Sequence, residues 1–184
     1  MEDRPLDDAE LTQRAKEGDV DAYAALVRAY QPIAVRLAHL VCGGSADADD
    51  VAQDGFVKAY RALDTHSDGA PFKPWLLRIV SNEAHNRRRS AGRRERYELA
   101  LIEDRALGGA VPSPEAAVLT SERRQTVLRA VQALPPRQRD VVACRYLLGL
   151  SEVETASVLG IAAGTVKSRL SRALARLKEV IGDD

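Results

Sequence analysis

Residues Leu150 to Lys178, LSEVETASVLGIAAGTVKSRLSRALARLK, constrain the fold more than any other stretch, because they read as two helices joined by a tight turn. Gly160 and Ile161 place the turn: glycine supplies the permissive backbone that a sharp reversal needs after a helix over Ser151 to Leu159. A second helix follows from about Ala163 to Val180. On a 3.6-residue period Val166, Leu170, Ala173, Leu174 and Leu177 share one face, which must pack against preceding helices. The opposite face carries Thr165, Ser168, Ser171, Arg172 and Ala175, with Lys167 and Lys178 along one side and Arg169, Arg172 and Arg176 along the other. Small residues at its centre let such a helix approach the floor of a major groove. Side chains near its start then reach base edges while the basic flanks meet phosphates. A solvated amphipathic helix would show the same charges, so the turn in front of it is what points to DNA.

The net charge of zero looks wrong for such a chain until it is divided along the sequence. Residues 1–86 hold 9 lysines and arginines against 15 acids, residues 87–105 hold 7 against 4, and residues 106–184 hold 11 against 8. An acidic first part suits a protein partner, and the later parts carry a basic footprint. With 45% hydrophobic and 29% charged residues the chain has enough apolar surface for cores and is not a disordered polymer. Its 184 residues allow one domain or two small ones. No run approaches a membrane span and no signal peptide precedes the first helix. The expected place is therefore the cytoplasm, without stable membrane insertion. Cys42 and Cys144 stand alone, so neither a zinc site nor a disulfide framework is expected, and no cofactor motif is found.

Taken in order, Asp7 and Asp8 are candidate caps of a short helix ending at Gly18. A longer helical stretch runs from Asp19 to about Leu40, which Pro32 should kink or divide. Gly43, Gly44 and Ser45 form a turn, and Ser45 or Asp47 caps the next helix, where Ala52, Phe56, Ala59 and Leu63 bury together. Asp47, Asp50, Asp54, Lys58 and Arg61 then face outward with Val57 among them, and Gly55 costs about 1 kcal/mol of helix propensity against alanine. The polar DTHSDGAPFK reads as a loop. Pro74 lies in the first turn of the following helix, which buries Trp75, Leu76, Ile79 and Val80. Arg78, Ser81, Asn82, His85, Arg88 and Arg89 make a polar, basic side that suits a nucleic-acid strand. From about Arg96 to Ser113 the pattern fades into a linker with Gly108, Gly109 and Pro112. It resumes from Pro114 to Leu134, stops at Pro135 and Pro136, and continues into the helix-turn-helix. The expected fold is all-α: two small helical bundles joined by a flexible linker, the second bundle containing the helix-turn-helix.

VAQDGFVKAYRAL, FKPWLLRIVSNEAHNRRRS, LPPRQRDVVACRYLLGLS and GTVKSRLSRALARL, in this order and spacing, resemble bacterial sigma factors of the extracytoplasmic-function class. The resemblance spans nearly the whole chain. It implies a region 2 domain over 1–95, a linker over 96–113 and a region 4 domain over 114–184, with no region 3. It also implies binding to core RNA polymerase and promoter DNA, an anti-sigma factor as partner, and help in opening the −10 region. Asp47, Asp50, Gln53 and Asp54 match the segment that docks on the polymerase. Asn82 matches an asparagine that holds an extruded base of the −10 element. The loop from Asp64 to Pro71, with His66 and Asp68, forms the rest of that pocket, and Arg78, Ser81, His85, Arg88 and Arg89 lie beside it. Thr165, Lys167, Ser168, Arg169, Ser171, Arg172 and Arg176 belong to the helix that reads the −35 element. Asn86 stands where many members carry Asp, Ala162 where many carry Pro, and Ser171 where some carry a bulky residue.

The physical requirements agree with that resemblance, since one tethered chain has two separate basic surfaces and an extruded base needs a pocket offsetting a few kcal/mol of lost stacking. A two-component or quorum-type regulator shares the helix-turn-helix but would need strand-helix alternation in its first 90 residues, where only helices are read. An enzyme would have to draw on three scattered histidines and two lone cysteines, and no nucleophile-base, metal or phosphate motif appears.

Overall fold

In the computed structural model, residues 7–42, 47–99, 127 and 129–181 are described, and their regular structure is helical throughout. Helix α1 spans Asp8–Lys16, α2 Val20–Cys42, α3 Ala48–Arg61 and α4 Phe72–Leu99. A helical stretch over 129–133 follows, then α5, Pro136–Val142, which runs on as a π-helical turn over Ala143–Leu147. Helix α6, Glu152–Leu159, and helix α7, Ala163–Ile181, complete the chain.

Local chemistry sets the boundaries. Asp19 starts α2 by accepting from the Ala22 amide at 3.0 Å while Arg14 donates to its carboxylate at 2.6 Å. These contacts hold the Asp19 carboxyl below the usual range, the Ala22 bond contributing most. Helix α2 runs unbroken through Pro32, contrary to a division there. Proline removes one backbone donor, and Leu26, Ala34, Leu37 and Ala38, all fully buried, hold the helix together on both sides of it. Asp47 occupies the cap position of α3 without a side-chain cap bond. The expected turn at Gly43, Gly44 and Ser45 lies outside the described residues. Helix α4 continues through the first residues expected to be linker, because Arg96, Tyr97, Glu98 and Leu99 include no helix breaker. The rest of that linker and the helical pattern from Pro114 to 126 also lie outside the described residues.

Helices α2, α3 and α4 pack on one another around Leu26, Leu37, Val51, Phe56, Leu76 and Val80, with α1 and the 3-10 turn Leu63–Thr65 closing one end. Each fully buried leucine contributes about 1.5–3 kcal/mol. Gly55 is explained here: a Cβ at that position would lie 2.7 Å from Val80 Cγ2, so the residue that weakens α3 is what lets α4 come close. A second cluster joins Ala130, Val131, Leu134 and Val142 to Ala173 and Leu177 of α7. The two parts touch. Helix α6 packs against α4, and Cys144, Leu148, Leu150 and Val158 are buried in the larger cluster with α2 and α4. Burial pushes the Cys144 thiol up to about 12, so it is a protonated core residue.

Candidate nucleic-acid interface

The helix-turn-helix is fixed at its start by a reciprocal cap. The Glu154 amide donates to Ser151 Oγ at 3.1 Å and the Ser151 amide to Glu154 Oε2 at 2.7 Å, which holds the Glu154 carboxyl below its usual range. Such a box stabilises a helix by about 1 kcal/mol. Helix α6 ends at Gly160, whose φ of +63° is the left-handed conformation that turns the chain toward α7. Val166 and Ala173 are fully buried, with Leu177 nearly so and Leu170 half-buried. Leu174, expected on the packed face, is 41% exposed because it stands at the margin of a narrow apolar stripe.

That packing leaves a continuous polar face. Lys167, Ser168, Ser171, Arg172 and Arg176 are exposed, and Thr165 and Arg169 are half-buried. The first turn of α7 carries no acid. Arg172 folds back on its own helix, donating from Nε to the Ser168 carbonyl at 3.1 Å, while Arg176 reaches Gln138 Oε1 at 3.5 Å. Both guanidiniums make only exposed, readily exchanged contacts, so they can turn to a partner.

The residues expected at the −10 surface separate into two sets. Asn82, Arg89 and Asp64 are exposed, as is Arg78, whose guanidinium lies over Gly160. His85 meets Asp140 at 3.3 Å and Arg88 donates to the Val41 carbonyl at 3.1 Å, so these two are turned toward the protein. Ser81 and His66 correct the expected surface: they are only 2% and 4% exposed and offer nothing to a strand in this conformation. Ser81 falls on the core side of α4. The His66 ring is drawn inward by aromatic packing, with centroids 5.0 Å from Trp75 and 6.0 Å from Phe72. Burial, followed by the nearby Lys16 charge, holds its pKa below the ordinary histidine value. Asp68 is exposed but paired to Lys16 at 2.6 Å, and that bond lowers its pKa.

On α3, Asp50, Gln53 and Asp54 are exposed and Asp47 is half-buried. Asp54 is paired to Arg87 at 3.2 Å. Beside them lies a groove between α2 and α3, about 780 Å³ in volume, lined by Val20, Tyr23, Val27, Phe56, Val57 and Tyr60 together with Gln53. Val20, Val57 and Tyr60 are 65%, 43% and 45% exposed. The signal for this groove was present in part, since Val57 and Tyr60 interrupt a charged face three residues apart. Its other wall comes from α2, which only the fold brings there. Among the described residues no cluster of histidine, cysteine and acidic groups could hold a metal, and no helix is long and apolar enough to cross a membrane.

Comparison with known proteins gives two family matches, Sigma-70 region 2 over residues 26–94 and Sigma-70, region 4 over residues 124–177. The chain is 38% identical over 175 residues to the ECF RNA polymerase sigma-E factor of Escherichia coli (strain K12), covering 91% of each protein. Among solved structures it resembles CnrH in complex with the cytosolic domain of CnrY, with TM-score 0.66, 30% identity, and 95% and 96% of the two chains covered. It also resembles the sigma factor RpoE in complex with the anti-sigma factor NepR from Bartonella quintana, with TM-score 0.68, 26% identity, and 88% and 98% covered.

Proposed function

This chain belongs to the sigma-70 family, in its extracytoplasmic-function branch, and directs RNA polymerase to promoters; from that premise we propose that its surfaces divide the work of promoter recognition and opening. The observation that carries the proposal is α7, whose apolar side is committed to packing while its opposite side presents Lys167, Ser168, Ser171, Arg172 and Arg176 with no acid in the first turn. A helix held this way enters a major groove as a rigid reader of the −35 element, with Thr165 and Arg169 at its margins. The second surface, Asp64, Asn82 and Arg89 with Arg78 beside them, receives the −10 strand once it is unpaired.

The domains are proposed as 1–95 and 114–184, joined by 96–113. The contacts that α4 makes with α6, where Lys73 and Glu154 are 3.4 Å apart, and with α5, where His85 meets Asp140, must part before a strand can use the full length of α4. Core polymerase docks on α3 through Asp50, Gln53 and Asp54, near Asp47. The apolar groove supplies the contact area and the carboxylates steer the approach. An anti-sigma factor is the second protein partner, as in the complex of RpoE with the anti-sigma factor NepR. We place the chain in the cytoplasm, where the polymerase works, and assign it no chemistry of its own. Transcription with purified core polymerase on a genomic fragment library tests this reading. Discrete start sites that vanish without the protein support it, and a pattern identical to core polymerase alone overturns it.

A further inference from the structure

The loop from His66 to Ala70 is short of internal fastenings. Its own bonds are local turns, from the His66 amide to the Leu63 carbonyl at 3.0 Å and from the Ala70 amide to the Ser67 carbonyl at 3.1 Å. Gly69 adds a left-handed residue with a φ of +73°. Two further contacts come from far away in the chain. Lys16, in the last turn of α1, donates from Nζ to the His66 carbonyl at 2.5 Å and to Asp68 Oδ1 at 2.6 Å, across 50 and 52 residues of sequence. Its side chain is only 15% exposed. On the other side the His66 ring sits against Trp75 and Phe72 and feels the Pro71 backbone, although neither ring nitrogen makes a hydrogen bond of good geometry. Side-chain packing and one ammonium group therefore hold the loop in place.

A loop that receives an extruded base binds it more tightly when already shaped, because ordering costs free energy at the moment of binding. We infer that Lys16 is a positioning residue for −10 strand capture: it pins the His66–Asp68 segment from α1 and sets the loop that leads into α4, the helix that carries Asn82, without itself touching DNA. This rests on the reading of that loop as the base-receiving pocket. Its peculiarity is that a helix outside both expected DNA surfaces controls one of them. It also commits Asp68 to the protein rather than to the strand.

The test uses holoenzyme assembled from the full chain and core polymerase, on a fork-junction DNA in which the non-template −10 strand of a promoter recovered in the transcription experiment is single-stranded. Lys16→Met keeps the length and loses the ammonium group, and it should weaken fork-junction affinity about tenfold. Lys16→Arg should restore most of it. Core affinity and binding to duplex carrying only the −35 element should match the wild type, which a general loss of fold would not allow. Asp68→Asn, at an exposed site, should give a smaller loss and serves as the deciding variant if Lys16→Met melts early. Trp75 is the chain's single tryptophan, and its emission should become more accessible to acrylamide in Lys16→Met. Asn82→Ala separates the failures. If it is defective while Lys16→Met and Asp68→Asn bind as wild type, the inference is overturned alone. If Asn82→Ala also binds as wild type, the reading of the loop falls and the inference with it.

Discussion

Replacing Gly55 with alanine sets two effects against each other. Helix propensity favours the change by about 1 kcal/mol, because α3 would lose its least helical residue. Packing opposes it. The added Cβ would stand 2.7 Å from Val80 Cγ2, 3.4 Å from Val80 Cα and 3.5 Å from Val80 Cβ, whereas carbon atoms prefer separations of about 3.5–4.0 Å. Val80 is fully buried and β-branched on a helix, where one rotamer is strongly preferred, so relief requires either an unfavourable rotamer or a shift of α4. Overpacking of this kind costs about 1–3 kcal/mol, leaving a net loss of about 1 kcal/mol once propensity is credited. Urea unfolding followed by Trp75 emission measures it on the bundle concerned. In a Val80→Ala background the clashing methyl is gone, so the same substitution should become neutral or stabilising, a coupling of about 1–3 kcal/mol. A gain in stability from Gly55→Ala alone, or strict additivity of the two changes, would refute the close-approach argument. Because α4 carries Asn82, the single variant should also bind the −10 strand less well.

Two further outcomes are expected. The folded His66 has a pKa below the ordinary value of about 6.5, whereas the unfolded one takes up a proton near that value. The unfolded state then binds more protons, so stability is level above pH 6.5 and falls as the pH drops below it until the folded group also protonates. Trp75 emission during urea unfolding at several pH values should show this, and His66→Phe should remove that segment of the slope. On the polymerase side, Val57→Asp should weaken core affinity at least tenfold in a fluorescence titration, while Asp50→Lys should chiefly slow association and reduce its salt dependence. Unchanged affinity in Val57→Asp would show that the groove is not the docking surface.

Much of this was legible in the sequence because it is local. The helix over Ser151 to Leu159, the turn at Gly160, the packed stripe of Val166, Ala173 and Leu177, and the burial of Ala52, Phe56, Ala59 and Leu63 follow from local residue patterns. What sequence reading missed depends on elements that meet from a distance. His66 looks like a polar loop residue until Phe72 and Trp75 fold back over it, and the role of Lys16 needs α1 to lie against a loop 50 residues on. Gly55 looks like a local defect until Val80 arrives from α4. The apolar groove needs both α2 and α3, and only one of its walls is written in the α3 pattern. Of the kink or division expected at Pro32, the division does not occur, since tertiary packing on both sides keeps α2 continuous where local propensity alone would break it.

The division of labour between α7 and α4 is tested most directly by comparing Arg172→Ala and Asn82→Ala on one promoter, once as duplex and once premelted across the −10 region. Arg172 is exposed on the polar face of α7, held only by solvent-exposed bonds to Ser168, and its loss should lower promoter affinity by about 1–3 kcal/mol if it reads a base. Asn82 is exposed on α4, and its loss should act mainly on opening. Premelting removes the cost of unpairing but leaves both base contacts in place. It should therefore partly rescue transcription by Asn82→Ala and leave Arg172→Ala as defective as on duplex. Equal rescue of both variants, or of neither, would contradict the account.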